Sequence, residues 1–278
     1  MRRADGDHHA RLKVKPVRVN RPPPARFQRY VAIGDSSTEG LDDPDGHGGY
    51  RGWSQRLAER LAQAQGGLLH ANLAIRGRTT RRIRDQQLGP ALAMRPDLAT
   101  VFSGTNDVMA RRFDLASVAA DMEHIQRSLV EGGATVLTFT LPDLTPVMPL
   151  ARPLAARIRA MNDALRSAAS RTGTILLDFA AYSVATDPRL WSEDRIHANA
   201  LGHERIAAAL AHALRLPGAD EAWKEPLPAE RSRSRAERWR AELTWWSRHL
   251  LPWLARGLFE PAVERPWSPK RPELTPIG

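Results

Sequence analysis

The chain has 278 residues, 42% of them apolar, and a formal charge of +10; this suits one sizeable domain with appendages and excludes wholesale disorder. It contains no cysteine, which excludes disulfide scaffolds, thiolate metal sites and a cysteine nucleophile. No apolar run approaches the roughly 18 residues of a membrane span, and residues 1–29 lack the apolar stretch of a secretory signal, so a cytoplasmic location is expected.

The chain opens with a basic arm, residues 1–27. Residues 1–29 hold nine Arg/Lys against two Asp, while residues 30–216 are almost neutral. Pro22-Pro23-Pro24 marks the arm as extended, and its composition predicts a flexible, solvated segment rather than a nucleic-acid or lipid binder.

From Tyr30 onward, short apolar runs alternate with amphipathic stretches. The expected strands are Tyr30–Ile33, Leu68–Leu73, Leu98–Phe102, Ala134–Phe139 and Thr174–Leu177. The expected helices are Gly52–Ala64, Asp114–Glu131, Pro153–Ser170 and Ala200–Leu214. In the second of these, Leu115, Val118, Met122, Ile125 and Leu129 share one face, and Gly132-Gly133 stops it. This alternation implies a central parallel sheet of five strands between two helix layers, an α/β/α sandwich spanning residues 28–216. In such sheets chemistry gathers at the carboxyl ends of the strands.

Four segments fall at those ends or just before the last helix of this domain. Gly34-Asp35-Ser36 follows the first strand, and Gly77 lies in the Asn72–Gly77 segment after the second. Ser103-Gly104-Thr105-Asn106-Asp107 follows the third, and Asp194-Arg195-Ile196-His197 precedes the final helix. Singly, each has an ordinary explanation. A serine after a strand commonly caps a helix, Gly77 serves a loop, Asn106 suits a turn, and Asp194 can lead a helix. Together they are the parts for acyl transfer. Ser36 needs a base to remove its proton, and His197 has a suitable pKa. Asp194, three residues upstream, is close enough to hold the other ring nitrogen. The backbone N–H groups of Ser36 and Gly77 and the side-chain amide of Asn106 are candidate oxyanion donors, with glycine at 77 permitting close approach.

On these residues the chain resembles the SGNH hydrolase superfamily, the GDSL-type esterases and lipases, in a bacterial cytosolic form. The match runs over residues 28–215 and includes all four blocks in order, with Ser37 where the family name has leucine. The resemblance implies a flavodoxin-like fold with a mostly parallel sheet. It implies a serine esterase with Ser36 as nucleophile, His197 as base and Asp194 as orienter. Ser36, Gly77 and Asn106 would form the oxyanion hole, with no metal or cofactor. Thioesters, lysophospholipids and O-acetylated sugars are alternative substrates for the same triad. Asp35 and Asp107 are expected to brace their loops, and Arg76, Arg78, Arg81 and Arg82 to form a solvated face. The links 40–51 and 141–153 are expected to wall a shallow or mobile pocket.

Residues 217–278 form a Trp- and Arg-rich extension with six of the eight tryptophans. Trp239, Leu243, Trp246 and Leu250 recur at helical spacing, and this stripe is expected to pack on the domain rather than meet a membrane. Beyond it an extended tail is expected. The competing reading is a membrane-docking protein that uses the arm and this helix, with an inert domain. The expected partner is a small-molecule ester, and the oligomeric state is open.

Overall fold

The computed structural model describes residues 26–143, 145, 149–229, 240, 244–250 and 268–277. The basic arm up to residue 25 lies outside these, as do Trp239 and Leu243.

In chain order the elements are β1 (Arg29–Gly34), α1 (Ser36–Glu39), α2 (Gly52–Gln65), β2 (Leu68–Asn72), α3 (Thr80–Ile83), α4 (Gly89–Ala93) and β3 (Leu98–Phe102). They continue with α5 (Thr105–Met109), α6 (Leu115–Glu131), β4 (Thr135–Phe139), α7 (Ala155–Thr172), β5 (Ile175–Leu177), α8 (Ala200–Ala213) and β6 (Arg271–Ile277). A π-helical turn, Arg84–Leu88, joins α3 to α4. The expected helices are present, while the helical stretch from Thr80 to Ala93 had no periodic signal.

The sheet runs in the order β5-β4-β3-β1-β2-β6, and β1 to β5 pair in parallel. Parallel neighbours need long crossovers, which the helices supply. Both faces of the centre are covered, since Tyr30, Val31, Ala32 and Ile33 are all fully buried. The helices pack in pairs, α2 with α8 and α6 with α7. Among the described residues, no helix is long and apolar enough to cross a membrane.

The expected five strands are the parallel ones, and β6 adds a sixth. The tail returns to pair antiparallel with β2, Leu68 opposite Ile277 and Asn72 opposite Arg271, with an irregularity between His70 and Asn72. Pro272 and Pro276 speak against a central strand but are compatible with a sheet edge, where an outward-facing position needs no N–H. Lys270 fixes the start of this strand by donating to the carbonyls of Tyr50 and Arg51 at 2.7 and 2.8 Å.

Strand order reverses at β1, whose neighbours are β2 on one side and β3 on the other. Such a switch point opens a crevice beyond the strand ends. Ser36 leaves β1 and Asn106 leaves β3 at this crevice.

Candidate active site

The chain turns sharply out of β1 into α1, and Gly34 makes the turn fit. A Cβ there would lie 2.2 Å from Thr38 Oγ1 and 2.6 Å from the Phe102 carbonyl. Asp35 caps α1, accepting from the Ser37 N–H at 3.1 Å, which leaves Ser36 at the first helical position. Beneath the turn, buried Gln87 grips Gly34 from both sides of its amide: Oε1 accepts from Gly34 N at 2.8 Å, and Nε2 donates to Gly34 O at 2.9 Å. Nothing in the sequence pattern marks Gln87, because its partner is backbone.

His197 comes to the same place from a turn organised by Asp194. One carboxylate oxygen of Asp194 accepts from Ser192 Oγ and from the N–H groups of Ile196 and His197, at 2.6 to 3.0 Å. The other meets His197 Nδ1 at 2.5 Å, and His197 Nε2 meets Ser36 Oγ at 2.8 Å. An ionised carboxylate only accepts, so Nδ1 carries the proton and Nε2 is the acceptor for the serine hydroxyl. Burial opposes the charged forms of both partners, but their hydrogen bond and mutual attraction win. Asp194 is held well below the ordinary carboxylate range, and His197 is raised above the ordinary imidazole value.

A second carboxylate, unmarked in the sequence, stands beside this pair. Asp42 Oδ2 lies 4.0 Å from His197 Nδ1, on a backbone with φ +65°, a region that aspartate tolerates better than most residues. Asp42, Asp194 and His197 are the one set among the described residues with metal-ligating spacing. Here Nδ1 is engaged by Asp194, so the set is accounted for as a hydrogen-bonded pair with an acidic neighbour. The loop bearing Asp42 is anchored by His203. Its Nδ1 accepts from Trp53 N at 3.1 Å, so its Nε2–H donates to Leu41 O at 2.9 Å. Burial lowers its pKa to about 4, consistent with this neutral form.

The candidate oxyanion donors line the same cavity as Ser36 and His197. Gly77 has φ +74°, but a Cβ there would meet nothing within 4 Å. Within the protein's own packing the glycine is therefore required by backbone conformation. Asn106 Nδ2 donates to Arg78 O at 3.1 Å and to Asp35 Oδ2 at 3.2 Å. Asp35 is fully buried, which raises its pKa to about 7 against the pull of the Ser37 N–H. Asp107 braces its loop as expected, accepting from Thr80 N and Thr80 Oγ1 at 3.0 and 2.9 Å.

The arginines around Gly77 are not simply a solvated face. Arg76 binds Glu39 through side chain and backbone and lies over the Tyr50 ring, and Arg81 reaches Asp121. The pocket also departs from expectation. It is a cavity of about 660 Å³, reaching from Ser36 between apolar walls that include Phe102, Phe139 and Phe179. Leu41, Leu141 and Pro142 are contributed by the two links, but much of the wall comes from residues 179–206 and from Trp223 and Trp245. Trp245 is buried while Trp246 is exposed, so the inward position is one residue before the expected one.

A family model described as GDSL-like Lipase/Acylhydrolase family matches residues 32–205. No curated protein matches the chain. Among solved structures, it is similar to TesA at 22% identity and a TM-score of 0.57, over 68% of this chain and 98% of that one. It is similar to a lipase/acylhydrolase from Enterococcus faecalis at 21% and 0.57, over 73% and 100%. A catalytic mutant of Axe2, an acetylxylan esterase from Geobacillus stearothermophilus, gives 18% and 0.58, over 71% and 96%. At these identities the structural likeness speaks for the fold.

Proposed function

This chain belongs to the GDSL-like lipase/acylhydrolase family and is a hydrolase acting on esters, and from that premise we propose that it works through an acyl-enzyme on Ser36. The observation that carries this reading is the continuous chain of contacts from Ser36 Oγ to His197 Nε2, and from Nδ1 to Asp194, at 2.8 and 2.5 Å.

In this reading Ser36 Oγ attacks the ester carbonyl carbon while its proton passes to His197 Nε2. The imidazolium formed is stabilised by Asp194, whose ionised state is favoured by that same contact. The carbonyl oxygen, now an oxyanion, is met by the N–H groups of Ser36 and Gly77 and by Asn106 Nδ2. The long bond from Asn106 to Asp35 is the one it competes with. Collapse breaks the bond to the alcohol oxygen, which takes the proton from Nε2. Water then attacks the acyl-enzyme with His197 again as base, releasing the carboxylic acid and restoring the Ser36 hydroxyl.

The test is hydrolysis of a short p-nitrophenyl ester by wild type and Ser36→Ala, with the acyl-enzyme sought as a mass shift on the peptide that contains Ser36. Turnover retained in Ser36→Ala, or an adduct on another residue, would overturn the assignment. We propose a cytoplasmic location as well, tested by cell fractionation with the esterase activity expected in the cytoplasmic fraction.

A further inference from the structure

We infer that Trp245 is a specificity-determining residue, walling a pocket for a long acyl chain of roughly eight carbons or more. This rests on the esterase reading of Ser36 above. Pockets of about 300–1,000 Å³ enclose drug-sized ligands, so a cavity of about 660 Å³ is far larger than an acetyl group needs. A short acyl group would leave apolar walls facing water, whereas a chain would cover them.

The walls are built to stay in place. Phe102 stacks on Phe139 with centroids 4.2 Å apart, and Phe179 meets Phe139 edge-on at 5.4 Å. Trp223 packs edge-on against Phe179 at 5.8 Å. Trp245 closes the cavity from a different segment and lies beneath the guanidinium of Arg195, 4.6 Å from the ring centroid. Arg195 sits inside the Asp194–His197 turn at φ +61°, so this wall is attached to the turn that carries the base.

Trp223 and Trp245 both lie beyond the matched segment, which ends at residue 205. The C-terminal portion of this chain therefore adds two tryptophans to a wall whose phenylalanines, Phe102, Phe139 and Phe179, lie within the matched segment. The acyl group is the part of the ester that stays bonded to Ser36 between the two half-reactions. It is the part that gains from an enclosed apolar wall while water is awaited.

The test is a p-nitrophenyl series from acetate to dodecanoate, with Trp245→Ala and Trp245→Phe beside wild type. Wild type is expected to prefer octanoate or dodecanoate over acetate by about tenfold or more in kcat/KM, as several buried methylenes allow. Trp245→Ala should lose roughly tenfold on the long esters and less than about twofold on acetate, with Trp245→Phe recovering most of the loss. A flat length profile would overturn the inference. So would an equal loss at every length, which would make Trp245 only a prop for Arg195. A length preference seen instead when the alcohol is lengthened on acetate esters would also overturn it. If no ester of any length is turned over, the esterase reading fails, and the pocket is judged separately by titrating dodecanoate into the protein calorimetrically. Binding weakened in Trp245→Ala then upholds the pocket for an acyl chain, and absence of binding overturns it.

Discussion

Asp42 holds a carboxylate oxygen 4.0 Å from His197 Nδ1, the nitrogen that Asp194 already engages at 2.5 Å. His197 is thus flanked by two acids of unequal hold, one hydrogen-bonded and partly buried, the other more exposed and at the margin of an ion pair. Removing the stronger partner leaves the weaker one in place. Asp194→Ala is therefore expected to lose less kcat/KM than the loss on the order of 10⁴-fold typical of a deleted triad member. Asp42→Ala alone should change it by less than about threefold, as for a partly solvated charge, and the double variant should fall well below Asp194→Ala. Additive losses in a double-mutant cycle would show that Asp42 does not substitute.

Activity should depend on pH through His197. Serine attack needs Nε2 unprotonated, and the pairing with Asp194 outweighs burial to raise this pKa above the ordinary value of about 6.5. Plotted against pH, kcat/KM is expected to rise through a midpoint above 6.5. In Asp194→Asn the midpoint should move down, because the charge that favours imidazolium is gone. A midpoint below 6.5 in wild type would contradict the geometry.

Gln87 is expected to matter for both stability and turnover, though it lies beneath the site. In Gln87→Leu the apolar volume is kept, but the Gly34 N–H loses its buried acceptor and the Gly34 carbonyl loses a donor. The cost expected is about 2 kcal/mol or more, measured by urea unfolding. The turn that presents Ser36 starts at this residue, so kcat should fall while KM for a short ester changes little. Unchanged unfolding midpoint would show that the grip on Gly34 is dispensable.

Acid sensitivity should trace to His70. It is fully buried, stacked on Tyr30 with centroids 4.5 Å apart, and burial lowers its pKa to about 3. The unfolded chain binds this proton at about 6.5, so below that pH unfolding takes up a proton that the folded state refuses. Stability from this residue is full above 6.5 and falls by about 1.4 kcal/mol per pH unit on the way down to about 3. Asp35 acts in the opposite sense, since its raised pKa of about 7 makes stability fall as pH rises toward 7. The difference between wild type and His70→Phe, which keeps a ring against Tyr30, isolates the histidine. That difference should grow in favour of the variant as pH drops from 6.5 to 4.

The set of residues proposed for catalysis was legible because its parts are local. Each of Ser36, Gly77, Asn106 and the Asp194–His197 pair sits where a strand or turn ends, and order along the chain is enough to assemble them. What stayed hidden depends on distant partners. Gln87 is read only through Gly34, and His203 only through Leu41 and Trp53. Trp245 was hidden by geometry of another kind. A spacing of 3.6 residues selects Trp246, but Trp246–Leu250 is a π-helical turn, and a wider turn displaces residues from that register. β6 was hidden by its prolines, which local propensity assigns to an extended tail.

The pairing of β6 with β2 also governs when this protein can finish folding. Leu68–Asn72 emerges from the ribosome long before Arg271–Ile277, with the rest of the sheet made in between. Until the later strand arrives, one side of β2 is an open edge on a nascent chain, the kind of surface that invites pairing with a neighbour. Closure by a contact so distant in sequence is slow compared with local folding. The five parallel strands need no residue beyond Leu177 to pair, whereas cover for the β2 edge waits on the chain's last described segment.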